Sequence, residues 1–159
     1  MKPFHILVLA AFLPAVAAVA AQEAPAPHAL PAVAEAPVLT PVPAAALTMD
    51  SLLWQARPVV VFADSPADPN FVRQMDLLAV DPAGLRERDV VIVTDTDPAA
   101  MTEWRRKLRP RGFSLVLMDK DLKPVLRKPL PWDAREIERA IDKFPLRRQE
   151  ILQQRPAGR

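Results

Sequence analysis

PVVVFADSPADPNFVRQMDLLAVDPAGLRERDVVIVTD, residues 58–95, holds two apolar runs separated by a helical pattern. Val59, Val60, Val61 and Phe62 follow one another without a polar break, and Val90, Val91, Ile92 and Val93 do the same. A strand with one wet face would alternate, so these runs predict strands buried on both faces. Between them, Asp68 before Pro69 pairs a helix N-cap with proline at the first helical position, where its missing N–H costs no hydrogen bond. Phe71, Val72, Met75, Leu78 and Ala79 then share one helical face. Strand, helix, strand makes a parallel pair with a right-handed crossover.

On the C-terminal side, Asp81, Pro82 and Gly84 break the helical pattern before the second strand, which ends at Asp95. Asp97-Pro98 repeats the helix-start signal, and Met101, Trp104 and Leu108 are expected on a common face until Pro110. Residues 113–118 predict a third strand, and Asp119, Lys120 and Asp121 a tight turn into a fourth around Val125 and Leu126. Asp133 and Glu136 open a last helix with the stripe Ile137, Ala140, Ile141 and Phe144, ended by Pro145. A short basic helix is expected over 146–154. The fold class is therefore α/β: one domain of order βαβ-α-ββα, with a mixed sheet and the minimal thioredoxin-like core.

N-terminal to this domain, residues 1–21 have Lys2, an apolar run from Ile6 to Val19 and small residues at 18–21, the layout of a secretory signal peptide cleaved near Ala20 or Ala21. The apolar run is shorter than the ~20 residues a spanning helix needs, so no integral membrane span is expected after cleavage. Residues 22–46 are nearly all Ala, Pro and Val and predict an extended, disordered linker. That leaves 47–152 as the domain and 153–159 as a flexible tail. Export, most simply to the periplasm, is the expected address.

Three stretches, SLLWQARPVVVFADSPADPNFVRQMDLLAVDPAGLRERDVVIV, GFSLVLMDKD and IDKFPLRRQEIL, together resemble the bacterial domain of unknown function 4174 family, an exported thioredoxin-like family without an established activity. The resemblance spans Ser51 to Leu152. Its more specific parts are the Phe-Ala-Asp loop after the first strand and the closing pattern Pro145, Arg147, Gln149 and Glu150. Where redox-active thioredoxins carry Cys-x-x-Cys, this chain has Ser65, Pro66, Ala67 and Asp68, and Ser114 stands near the place of their cis-proline. The resemblance implies the scaffold and no inherited catalytic residue.

Composition narrows the chemistry further. The chain has no cysteine, which excludes disulfides, thiol redox work and thiolate metal sites. Its two histidines, His5 and His28, precede the domain, so the domain has neither a histidine base nor a histidine ligand. Gly84 and Gly112 alone give no phosphate-cradling loop, and no cofactor is expected. One enzymatic alternative remains, a carboxylate-based, metal-dependent hydrolase or phosphotransferase using Asp64, Asp95 and Asp97 at the strand ends. Against it, Asp97 reads as a helix cap, Asp95 as a strand end and Ser65 as a loop-stabilising hydroxyl.

Residues 47–159 carry 20 basic and 17 acidic side chains, a mild excess that is no nucleic-acid signature. It is uneven, however: Arg105, Arg106, Lys107, Arg109 and Arg111 form a run without an acid. With Arg147 and Arg148 they are the candidate surface for an envelope protein or an anionic envelope component. Trp54, Trp104 and Trp132 are expected in the core or at its edge, Trp132 being the most exposed. The expected function is a non-catalytic interaction or scaffold module.

Overall fold

The two apolar runs that open the domain lie side by side in the sheet. The computed structural model describes residues 39–154, so the expected signal peptide, the expected linker up to residue 38 and the expected tail from 155 lie outside the described residues. Its strands are β1 (Val42–Pro43), β2 (Arg57–Phe62), β3 (Val90–Asp95), β4 (Ser114–Met118) and β5 (Pro124–Lys128). The helices are α1 (Pro69–Leu78), α2 (Pro82–Arg86), α3 (Glu103–Leu108), α4 (Ala134–Ile141) and α5 (Pro145–Gln154). The sheet order is β1-β3-β2-β4-β5, with β1, β3 and β2 parallel and β4 and β5 antiparallel additions.

Burial on both faces follows from two helical layers. Val59 and Val61 pack with Ile92, Leu115 and Leu117 under α1, α2 and α4, through Leu78, Leu85, Ile137 and Ile141. Val60 and Phe62 point the other way and join Val93, Val116 and Met118 under α3, where Trp104 and Leu108 meet Ala44, Met49 and Leu52. The period of two along β2 thus feeds two cores. Ile92 is 1% exposed at the centre of the first core. Ile92→Ala is expected to cost roughly 2–5 kcal/mol in a denaturant titration, and a cost below about 1 kcal/mol would mean that the strand is not central.

Local signals explain most helix ends. Asp68 accepts hydrogen bonds from the Asn70 and Phe71 N–H groups, with Pro69 at the first helical position, and Asp133 caps α4 by accepting from Glu136 N–H. Other expectations need correction. The stretch expected to act as a linker through Ala46 is already part of the fold from Val42, which pairs with Val93 as Pro43 pairs with Thr94. An edge strand tolerates proline because its missing N–H faces away from the ladder. Asp81 and Pro82 do not merely break a helix but cap a new one, α2, through Gly84 N–H. Asp97-Pro98 opens only a 3-10 turn, Pro98–Ala100; the chain then passes through Met101 in the left-handed region and restarts at Thr102.

Met101 is consequently exposed instead of sharing the face of Trp104 and Leu108. On α1, Val72 and Ala79 face solvent while Gln74 is fully buried, its amide exchanging hydrogen bonds with the Trp132 backbone. That exchange also draws Trp132 partly under cover, with the Lys128 ammonium 4.0 Å from its ring centre. The exposed tryptophan is Trp54, at 60%. Its backbone has positive φ, and its N–H is committed to the Lys120 carbonyl, so the ring is carried outward. Helix α5 runs to Gln154, so Gln153 and Gln154 belong to the closing helix expected over 146–154 and not to the tail drawn from 153.

Candidate functional site

Among the described residues, the four buried charged side chains, Arg57, Asp95, Arg105 and Asp119, sit at the two ends of the strands. At the carboxyl ends of β2 and β3, Arg105 Nε donates to Asp95 Oδ1 at 2.7 Å, and the Thr102 hydroxyl donates to Asp95 Oδ2 at 2.5 Å. Arg105 Nη2 also donates to the Ala63 and Asp95 carbonyls, and the Phe62 ring lies 5.6 Å from the guanidinium. One arginine therefore ties α3 to the ends of two strands, using the forked donors that lysine lacks. This corrects the expected anion-binding set: Arg105 is spent inside the protein.

The same contacts bear on Asp64, Asp95 and Asp97. Both Asp95 oxygens are engaged, Asp97 accepts from the Ala99 N–H that it caps, and Asp64 is 64% exposed with Arg105 3.9 Å away. The three do not converge on a point, and among the described residues no group of three or more acidic or histidine side chains could hold a metal ion. Ser65 accepts from Ala67 N–H within its own loop.

Beside this clamp lies a groove of about 470 Å³, lined by Leu108, Arg109, Arg111, Phe113, Ser114, Arg127 and Pro129. Arg109 closes α3 in the left-handed region, donating its N–H to the Arg105 carbonyl, and Gly112 at φ 57 turns the chain into β4. Arg127 lies opposite Val116, on the same face as Ser114 two residues earlier. Its Nη1 donates to Ser114 Oγ at 3.2 Å, and its Nη2 donates at 2.6 Å to the Leu108 carbonyl, an orphan at the end of α3. Arg127 was not singled out in the sequence, and Ser114 was noted only as standing near the place of a cis-proline. Their partnership depends on the β4–β5 register, and no motif announces it. Arg106 and Lys107 are exposed nearby, and Arg106 donates to the Met101 carbonyl.

The other end of the sheet is built around Arg57, which is fully buried. Its Nε donates to Asp119 Oδ1 at 3.0 Å, Nη1 to the Arg88 carbonyl and Nη2 to Glu150 Oε1 at 2.8 Å. Lys120 bridges Asp89 and Glu150, and Asp119 also accepts from the Leu146 N–H. Arg147 is engaged with Asp142 and Glu150, and Arg148 is exposed. Because Arg57 begins β2 and Ala63 follows its end, about 20 Å of strand separates this network from Arg105. The structure therefore does not bring Arg147 and Arg148 together with the run at 105–111.

Burial would raise the Glu150 carboxyl, but hydrogen bonds from Arg57 and Lys120 outweigh it and bring it down to about 2. For a carboxylate so lowered, the stabilisation is complete above its unfolded value of 4.5 and is lost as pH falls towards 2. Allowing for solvent screening at a partly exposed group, the loss is roughly 1–2 kcal/mol. The stability gap between wild type and Glu150→Gln is expected to close over that pH range in acid titrations followed by circular dichroism. A gap independent of pH would show that the carboxylate charge is not what holds α5.

With the geometry in view, the comparisons bear on fold and family. A crystal structure of reduced 2-Cys peroxiredoxin from Plasmodium vivax superposes with a TM-score of 0.53 at 10% identity, covering 66% of this chain and 85% of that one. This likeness concerns the fold alone, which is thioredoxin-like. No curated protein matches the chain in sequence. Lacking any cysteine, the chain cannot perform thiol redox catalysis of the peroxiredoxin kind. Residues 48–150 match the family model described as Domain of unknown function (DUF4174), and the chain belongs to that family.

Proposed function

We propose that the protein is an exported, non-catalytic interaction module of the bacterial cell envelope, most simply periplasmic. On this reading it binds an acidic envelope protein or another anionic envelope component through the basic end of its sheet. The signal-like layout of residues 1–21 supports export, and among the described residues no helix is long and apolar enough to cross a membrane. The observation that carries the reading is the division of charge. The buried carboxylates Asp95 and Asp119 are consumed in holding the fold, whereas Arg106, Lys107, Arg109 and Arg111 face solvent. A surface of this kind attracts anionic partners over roughly a Debye length, ~8 Å at physiological salt.

The test is affinity capture of the mature protein from its own envelope extract, comparing wild type with Arg106→Glu, Arg109→Glu. Loss of the captured partner at low salt, with the melting temperature unchanged, is the expected result. Equal recovery would reduce the run to a solvated helix end.

A further inference from the structure

From the groove beside α3 we infer a phosphoryl-binding pocket, in which Arg109, Arg111, Arg127 and the Ser114 hydroxyl hold a phosphate group belonging to a larger ligand. This rests on the basic end being the binding end and adds the chemistry of what is bound.

Three guanidinium-bearing residues from two separate segments line one concavity, and no carboxylate lines it. Asp64 lies just outside it, one carboxylate oxygen 3.9 Å from Arg105 and the other near Gly112. Elsewhere in the described residues the buried or half-buried cations Arg57, Arg88, Arg105, Lys120 and Arg147 have acidic partners within 4 Å, and Lys128 lies over the Trp132 ring instead. Arg109, Arg111 and Arg127 have none. All three are exposed, yet like charges lining one concavity repel one another, and a bound anion relieves that repulsion.

The hydrogen-bonding inventory points to an oxyanion. Arg127 uses two of its donors on Ser114 and Leu108, which leaves three of the five N–H groups of a guanidinium. Ser114 is 4% exposed, and its oxygen accepts from Arg127, so its own proton remains to be given. The polar side chains of the lining therefore offer donors. A phosphoryl group supplies three acceptor oxygens and up to two negative charges, matching several arginines at once, where a carboxylate supplies two oxygens and one charge. At about 470 Å³ the groove is larger than a free phosphate ion, hence the larger ligand.

Inorganic phosphate is the first probe, titrated into the whole mature protein by calorimetry and by thermal unfolding against chloride at equal ionic strength. Phosphate is expected to bind and to raise the melting temperature by roughly 3 °C or more once it exceeds its Kd tenfold. Arg111 makes no bond that the fold needs, so Arg111→Gln should fold normally and weaken phosphate binding about tenfold or more. Arg127→Gln should do the same, with some loss of stability because Leu108 loses its cap. Arg139→Gln, on α4, should change nothing.

No phosphate effect beyond chloride, or an effect that survives Arg111→Gln, would overturn the pocket. Equal binding of acetate or glutarate would overturn the phosphoryl assignment in favour of a carboxylate site. Vesicles of phosphatidylglycerol against phosphatidylcholine separate the sources. Arg111-dependent sedimentation that phosphate competes away supports a lipid headgroup. Phosphate binding with no sedimentation supports a soluble or polymeric phosphate, and sedimentation indifferent to phosphate means a membrane-surface contact and refutes the pocket. Partner capture that depends on Arg106 and Arg109 but not on Arg111 or phosphate would leave the interaction reading standing while the pocket falls.

Discussion

Arg57→Met is expected to remove roughly 3–5 kcal/mol of stability, a large part of the 5–15 kcal/mol typical of a domain. Methionine fills similar space and carries no charge, so the loss measures what the guanidinium does. Asp119, only 4% exposed at its side chain, would lose its charged partner and keep only the backbone N–H bonds from Lys120 and Leu146, and Glu150 would retain Lys120 and Arg147. Helix α5 should loosen first, because none of its residues is buried and its polar contacts hold it. Chemical denaturation followed by tryptophan fluorescence gives the size, and hydrogen exchange of residues 145–154 gives the order. Adding Asp119→Asn to Arg57→Met should restore part of the loss, since the stranded charge is then gone. A single-variant cost under about 1 kcal/mol would show that Arg57 is solvated and its network decorative.

Two adjacent arginines provide the second large contrast. Arg105→Met should cost roughly 3–5 kcal/mol, because Asp95 is left as a buried carboxylate while the Ala63 and Asp95 carbonyls lose a donor. Arg106→Met, at an exposed position with one hydrogen bond to Met101, should stay within about 0.5 kcal/mol. Parallel denaturation curves of the two variants decide the matter, and similar costs would mean that Arg105 is not a clamp. The consequence for function is direct, since Arg105 cannot be tested as a binding residue without unfolding the site that it supports.

Much of the tertiary pattern was legible in local chemistry. The unbroken runs at Val59–Phe62 and Val90–Val93 required a sheet covered on both faces, and the Asp-Pro pairs marked where the chain turns into helical structure. Even those local signals had limits. Asp97-Pro98 and Asp68-Pro69 are alike as dipeptides, yet one opens a 3-10 turn and the other a ten-residue helix. The difference lies downstream, where Thr102 takes over as cap because its hydroxyl can serve Arg105 N–H and Asp95 together.

By itself, then, the sequence determined the order of the four longer strands and of the helices α1, α3, α4 and α5 among them, the mixed sheet, the absence of thiol and histidine chemistry and the existence of an acid-free basic run. What only the tertiary structure decided is which charges are free. Arg57 and Asp119 stand at the outer ends of two apolar runs, and the antiparallel register that pairs Val59 with Leu117 carries them face to face. Arg105 and Arg106 are neighbours in a charge run, but successive helical residues point about 100° apart, so one is buried against Asp95 and the other meets water. Arg127 reaches Ser114 and Leu108 only because β5 folds back on β4. Charge is written residue by residue along the chain, whereas its partner and its solvation depend on strand register and helix phase, which are properties of the assembled fold.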